Sequence, residues 1–389
     1  MLRKIIDFHY SLLKKYPRLE FFRPLIDAGD AFFYGMPDVS LGKPHIRDGM
    51  DVKRFMITVL FAVIPAACAS IYFYGWRAII IILTSYIVGG IAEVGFCLVR
   101  KEPVTEGFLI TGMLYPLIFP PTIPLWMLSV GIVVGVILGK EVFGGTGKNP
   151  FNAALVGRCF IYIAFPLFMT GNAFVEPIGN GLILNGYVPH EVGLGGIVSH
   201  RGLWEHNVVE GLVEGVCSAT PLAELKELEG SVGYMDFVKK SLPSLLWGNR
   251  AGCLGETCSI LILLGAVFMV FTRVANWRTM GSCIVAGFVT ACFLWSGECW
   301  MDRVWLGLFH ILSGGFLFGA VFMTTDPVTG PLTQAGRYFY GALIGIIAML
   351  IRRFSGYPEG MMFAILLMNI FAALIDEVVV LVRFRGISR

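Results

Sequence analysis

Charge is scarce in this chain. Only 15% of its 389 residues are Asp, Glu, Lys or Arg, while 56% are hydrophobic; a soluble domain carries about a quarter charged residues. The mean hydropathy is +0.74, so lipid is the expected solvent. A net charge of +3 is too small to mark a nucleic-acid binder. The nine cysteines contain no Cys-x-x-Cys pair, and the nearest two, Cys253 and Cys258, read as small apolar residues of membrane helices. Six scattered histidines speak against a histidine metal centre. No Gly-x-Gly-x-x-Gly unit follows a strand, so a dinucleotide site is not expected here. The run from Lys140 to Asn152 fails as a P-loop, with Val142 where Gly is required and Asn149 where Ser or Thr is required. The first 54 residues are amphipathic and polar, unlike a secretory signal.

What the chain has is long apolar runs. A spanning helix needs about 20 such residues, and ten candidate spans fall near 55–74, 78–99, 107–123, 124–139, 153–169, 258–273, 279–297, 304–325, 338–352 and 361–382. Pro116, Pro120, Pro121 and Pro124 interrupt the third and fourth. Broken helices at membrane depth survive only inside protein or beside a cavity. The two halves read as copies. Trp76-Arg77 is answered by Trp277-Arg278, and Gly107-Phe108-Leu109 by Gly315-Phe316-Leu317, with Pro120 and Pro327 following. Gly135, Phe143, Gly145 and Ala153 recur as Gly345, Phe354, Gly356 and Ala364. Five spans per copy invert the second, and inverted repeats enclose a site near the midplane. The expected fold is an all-α polytopic membrane protein of about ten helices in two inverted five-helix repeats. Its divisions are an amphipathic segment 1–54, a first repeat 55–169, a loop 170–257, a second repeat 258–382 and a tail 383–389.

Basic residues set the orientation. Lys53, Arg54, Arg100, Lys101, Lys140, Lys148, Arg273 and the tail arginines place both termini in the cytoplasm. The loop 170–257, with ten acidic against five basic residues, then lies outside. Arg352 and Arg353 fall on the outer side, against the rule. The first stretch, with Leu2, Ile5, Ile6, Leu12 and Leu13 among lysines, suits a helix on the membrane surface or a docking segment for a partner.

Four places carry candidate chemistry. In Gly89-Gly90-Ile91-Ala92-Glu93, a carboxylate in an apolar helix is a functional candidate by default. The paired glycines bare the backbone to a flat ring or to another helix. The bland alternative is helix packing, with Glu93 reaching the interface near Arg100. Asp376 and Glu377 sit inside the last span, where Glu377 can pair with Arg383. The run Glu214-Gly215-Val216-Cys217-Ser218-Ala219-Thr220-Pro221 is by itself a turn, with a hydroxyl among small neighbours. The glycine-rich run Lys140–Asn152 reads as a re-entrant turn of exposed amides able to hold a ring or an anion. Thr324-Thr325-Asp326-Pro327-Val328-Thr329-Gly330-Pro331 is its counterpart after span eight.

An ordered set of strings carries a family resemblance over nearly the whole chain. It runs through His45-Ile46-Arg47-Asp48, Asp51-Val52-Lys53-Arg54-Phe55-Met56, Glu106-Gly107-Phe108 and Pro120-Pro121-Thr122-Ile123-Pro124-Leu125-Trp126. Glu141-Val142-Phe143-Gly144-Gly145-Thr146-Gly147 and Tyr357-Pro358-Glu359-Gly360-Met361-Met362 follow. The chain resembles the B subunits of bacterial sodium-translocating NADH:quinone oxidoreductases and, less closely, the D subunits of Rnf electron transport complexes. The resemblance implies a fold similar to urea and ammonium channels and an inner-membrane location. It implies a place in a six-subunit complex that passes electrons from NADH to quinone and exports sodium. It also implies FMN joined through its phosphate to Thr220, beside Ser218 and Ala219. Here the chain departs from the pattern, with Glu214, Cys217 and Ser218 where the family has Asp, Ser and Gly. The matching glycines, Gly89 and Gly90, are implied in quinone binding, and Glu93 and Asp376 in the sodium path, with Asp376 a candidate sodium ligand. The two loop strings are implied to frame a non-covalent riboflavin. Rival readings are an Rnf-type subunit, a urea-channel-like passive transporter and a structural scaffold.

Overall fold

The computed structural model describes residues 52–100, 107–169, 174, 220–229, 231, 233–248, 250–295, 299–355, 357 and 359–384, with isolated positions before residue 52. The amphipathic segment and the tail after residue 384 lie outside these residues, as does the loop from 170 to 219 apart from Phe174. Among the described residues all regular structure is helical. In chain order the helices are α1 (Val52–Tyr74), α2 (Trp76–Arg100), α3 (Gly107–Leu117), α4 (Leu125–Gly139) and α5 (Ala153–Ala164). Then come α6 (Pro221–Glu227), α7 (Tyr234–Trp247), α8 (Ser259–Phe271), α9 (Trp277–Leu294) and α10 (Trp300–Leu312). The last are α11 (Phe316–Phe318), α12 (Gln334–Phe354) and α13 (Met361–Phe384).

Among the described residues six helices are long and apolar enough to cross a membrane, and α10 with the segment Phe316–Met323 makes a seventh apolar unit, bent by 67° as a broken span or a re-entrant loop. The other apolar runs form shorter helices, α3, α5 and α8. The expected span 107–123 stops as a helix at Leu117, because Pro116, Pro120 and Pro121 remove backbone donors over the next turn. The expected span 304–325 bends at Ser313-Gly314-Gly315, where Gly314 takes φ +64°. Beyond the bend, Gly319–Met323 is a π-helical turn, a geometry that is frequent at functional sites.

Local chemistry sets the other ends. Gly75, at φ +60°, closes α1 with its N–H on Ile71 O at 2.7 Å. Asn152, Asn276 and Thr333 cap the starts of α5, α9 and α12 with side-chain oxygens. Within the bundle α4 packs on α2 and α5, α12 packs on α9 and α13, and the halves meet where α1 lies against α8 and α5 against α13. The core holds fully buried Tyr115, Phe119, Phe309, Phe316 and Tyr340. Phe61, Ile91, Phe271, Phe293 and Val382 are exposed on outer faces, which lipid makes favourable. Part of the expected outer loop is folded onto the bundle: α7 buries Val238, Leu242 and Leu245 against α10 and α8.

Candidate functional site

Two cavities bracket the bent span. The larger, of about 80 Å³, opens between the halves. The two loop strings both line it, the first through Lys140, Thr146, Asn149 and Asn152, the second through Thr325, Asp326, Pro327 and Val328. Phe55, Met56, Met269 and Phe322 give it apolar walls, and Thr111 adds a hydroxyl. The first string turns through three left-handed glycines, Gly144, Gly145 and Gly147, a conformation that costs residues with a Cβ. Some polar groups on the rim are already committed. Asn152 Oδ1 accepts from Ala154 and Leu155 N–H at 3.1 and 3.4 Å. Asp326 Oδ1 accepts from Val328 N–H at 3.0 Å.

Glu93 is buried, and its Oε2 accepts a hydrogen bond from Lys140 Nζ at 2.6 Å. Their side chains are 2% and 4% exposed. Arg100, nearer the end of α2, pairs with Glu141 at 3.2 Å. Lys140 therefore joins the α2 carboxylate to the cavity wall, a role the sequence did not reveal. The signal was a lone lysine at the end of an apolar helix.

The glycine pair on α2 divides in two. A Cβ on Gly89 would lie 2.7 Å from both Ile132 and the Phe108 ring, so this glycine admits α3 and α4 to the backbone. A Cβ on Gly90 would meet Phe108 at an ordinary 3.4 Å. Gly90 is half-buried and remains open to a ligand. In the second half, Phe316 occupies the place above Gly287 that Phe108 occupies above Gly89.

Asp376 is half-exposed and clasps the chain ahead of α12. Its Oδ2 accepts from Leu332 N–H at 2.6 Å, and its Oδ1 from Thr333 N–H at 2.9 Å and Thr333 Oγ1 at 2.5 Å. No described contact joins it to Glu93. It anchors the continuation of the cavity-lining string instead. Glu377 is exposed on the next position.

Thr220 is half-buried at the start of α6, its Oγ1 accepting from Ala223 N–H at 3.4 Å. Ser218 and Ala219 lie outside the described residues. Thr220 lines the smaller cavity, of about 20 Å³, with Arg250, Gly252, Glu256, Gly314 and Glu359. Arg250 is held by Ser244 and Ser241 at 3.0 and 3.1 Å and by Glu224 at 3.7 Å. Behind this cavity Arg158 from α5 donates to Glu359 and, at 3.6 Å, to Cys253 Sγ. Sequence reasoning passed over this group, although an arginine inside the apolar helix α5 was the signal for it. Cys253 and Cys258 are both free thiols.

Comparison with known proteins places the chain. The model of the NQR2, RnfD, RnfE family matches residues 39–385. Proteins named as the B subunit of a Na(+)-translocating NADH-quinone reductase are similar along most of their length. The one from Pseudomonas paraeruginosa is 33% identical over 97% of this chain and 96% of its own. That from Yersinia pestis is 33% identical over 93% of each, and that from Chlamydia pneumoniae 31% over 97% and 98%. A match of this extent, on a chain whose described residues include six helices long and apolar enough to cross a membrane, shows that the chain belongs to the NQR2, RnfD, RnfE family.

Proposed function

We propose that this chain is the membrane subunit of a bacterial sodium-translocating NADH:quinone reductase of six subunits. In this reading it passes electrons toward quinone while sodium leaves the cell. The observation that carries the reading is the similarity, end to end, to proteins bearing that name. It favours this reading over an Rnf-type subunit, which shares the family model. An inner-membrane location with both termini cytoplasmic follows from the basic-residue pattern. The inverted repeat of ten spans is supported by the recurrence of the Gly89–Phe108 contact as Gly287–Phe316.

Thr220 is the proposed attachment point of FMN. Its hydroxyl stands at a cavity mouth, where it accepts a long 3.4 Å contact from Ala223 N–H, and Arg250 supplies a cation suited to a phosphodiester. A cavity of about 20 Å³ does not enclose a ring, so the flavin itself would lie over the outer surface. The larger cavity is the proposed riboflavin site. Its hydroxyl, amide and carboxylate groups match the polar edge of a flavin, and its aromatic and thioether walls match the faces. Room for about six waters means that Phe55, Met56 or Phe322 must move aside to admit three fused rings. Flavins at these places would supply one-electron carriers between NADH, bound on another subunit, and quinone near Gly90.

The chain's own part is charge compensation. Lys140 neutralises Glu93 while touching the cavity. Negative charge arriving there would draw Lys140 away and leave Glu93 requiring a cation, which sodium provides. Burial makes an uncompensated carboxylate costly, so electron arrival and sodium uptake become linked. Asp376 takes part by anchoring the string that ends at Thr333.

Flavin analysis of the purified complex tests the assignment. Wild-type protein is expected to carry fluorescence through denaturing electrophoresis, with FMN mass on the Thr220 peptide, and Thr220→Ala is expected to lose both. An unmodified Thr220 peptide in an active complex would refute the attachment. A colourless polypeptide with intact transport of a small neutral solute would favour the channel reading.

A further inference from the structure

The group behind the smaller cavity brings two buried carboxylates together. A carboxylate oxygen of Glu256, one of Glu359 and Sγ of Cys253 lie within 4.8 Å of one another. Against two carboxylates the cluster holds one guanidinium, Arg158, which is 5% exposed and binds Glu359 directly. The other nearby cation, Arg352, makes its hydrogen bonds to backbone, donating to His310 O at 2.5 Å and Ser313 O at 3.0 Å, and acts on the two carboxylates only through space.

Three buried polar atoms at this point find no partner among the described residues: Glu256 Oε2, Tyr162 OH and Arg158 Nε. Tyr162 is 4% exposed, and its hydroxyl lies within electrostatic reach of Glu359, Arg158 and Cys253. A second hydroxyl, that of Tyr74 from α1, points at Gly252 O from 3.5 Å. Arg250 lines the adjoining cavity. Gly315 leaves the centre open, since a Cβ there would sit 3.6 Å from Glu256 Oε2 and 3.7 Å from Arg158 Nη1.

A divalent metal does not suit this place. The guanidinium already occupies both Glu359 and Cys253, and burial together with the two carboxylates pushes the Cys253 thiol well up, against thiolate formation. A dehydrated alkali cation needs several oxygen ligands, and the cavity of about 20 Å³ has room for one water.

We propose that Glu256 and Glu359 hold one proton between them at neutral pH, resting on Glu256 Oε2 and directed at Glu359 through a single water, as a proton-binding site beneath Thr220. The proton comes from solvent and gives the bare Glu256 Oε2 a hydrogen to donate, with no bond broken in the protein. Burial first, then Glu359, pushes the Glu256 carboxyl up to about 7, against the pull of the Cys253 N–H and Arg158. Glu256 Oε1 accepts from that N–H, which leaves Oε2 as the protonated oxygen. If the flavin assignment at Thr220 holds, added negative charge there would favour retention of this proton, and oxidation its release.

Infrared titration of the whole complex, with glutamate labelled by ¹³C, tests the proposal. A protonated-carboxyl band is expected that loses half its area near pH 7 and changes tenfold in its acid-to-base ratio per pH unit. Glu256→Gln should remove it, and Glu359→Gln should move its midpoint by a unit or more toward acid. The band should persist in Thr220→Val, so loss of flavin leaves this site testable alone. The wild-type titration needs no variant: absence of any such band between pH 5 and 9 would overturn the proposal. So would displacement of the band by sodium at fixed pH, which would make the place a sodium site.

Discussion

Replacing Lys140 by Met keeps the stem and removes the ammonium from a pair whose partners are 2% and 4% exposed. Breaking a buried pair from one side costs about 3–5 kcal/mol, because the remaining charge stays desolvated. That is about two to four powers of ten in the folded-to-unfolded ratio. Glu93→Gln in the same background removes the stranded charge, and the double variant is expected to recover most of the loss. Denaturant titration of the detergent-solubilised chain gives the four corners of the cycle. Sodium supplies a second reading. In Lys140→Met a bound cation would replace the ammonium, so stability should rise by about 1.4 kcal/mol per tenfold sodium above its dissociation constant. Wild type and the double variant should show no such dependence. A cost below about 1 kcal/mol for Lys140→Met, with no sodium dependence, would refute the pairing and the compensation mechanism built on it.

The two glycines of α2 separate packing from binding. Gly89→Ala forces a Cβ to 2.7 Å from Phe108 and Ile132 and is expected to cost about 1–3 kcal/mol, read by thermal denaturation. Gly90→Val should leave stability nearly unchanged but raise the quinone KM; unchanged quinone kinetics would remove Gly90 from that site. Asp376→Ala releases Leu332 and Thr333, costing about 1–2 kcal/mol, and should raise the sodium needed for half-maximal quinone reduction. Sodium dependence equal to wild type would confine Asp376 to capping. Thr220→Val also removes a helix cap, at about 1 kcal/mol, so flavin loss must be compared with Thr220→Ser, which keeps the cap.

Much of the bundle was legible because a membrane helix writes itself as an uninterrupted apolar run. The limits of α1, α2, α4 and α13 follow the expected spans within a few residues. Proline and glycine marked the broken places but not their angle, since the 67° bend before Phe316 depends on what packs on each side. The two loop strings were paired in sequence by the repeat, and they do line one cavity. Long-range partners were illegible. Glu93 stands 47 residues from Lys140, and Arg158 stands 201 from Glu359; no local pattern encodes either. The same holds for Asp376, whose position inside an apolar run suggested an ion path. Its three contacts with the chain before α12 appear only once the two segments are brought together.

Arg352 and Arg353 broke the basic-residue rule, and their contacts explain why. A broken helix leaves carbonyls without intrahelical donors. At the break after α10, Arg352 crosses from α12 to cap His310 O and Ser313 O. In the first half Arg77 does the same for Pro121 O and Ile123 O, at 3.1 and 2.5 Å. Arg353 is paired with Glu229 and lies over the Trp295 ring at 5.8 Å. Arg352 is buried on backbone carbonyls and Arg353 is held by Glu229, so neither is presented to lipid headgroups as a free basic side chain that would set topology. Arg352→Met is then expected to cost about 1.5–3 kcal/mol for each carbonyl left bare, Arg352→Lys to restore one of the two bonds, and Arg353→Ala to cost about 0–1 kcal/mol. Reporter fusions after Tyr357 should report the same side in all three. A flipped reporter in Arg352→Met would mean that this charge sets orientation, and the capping argument would fail.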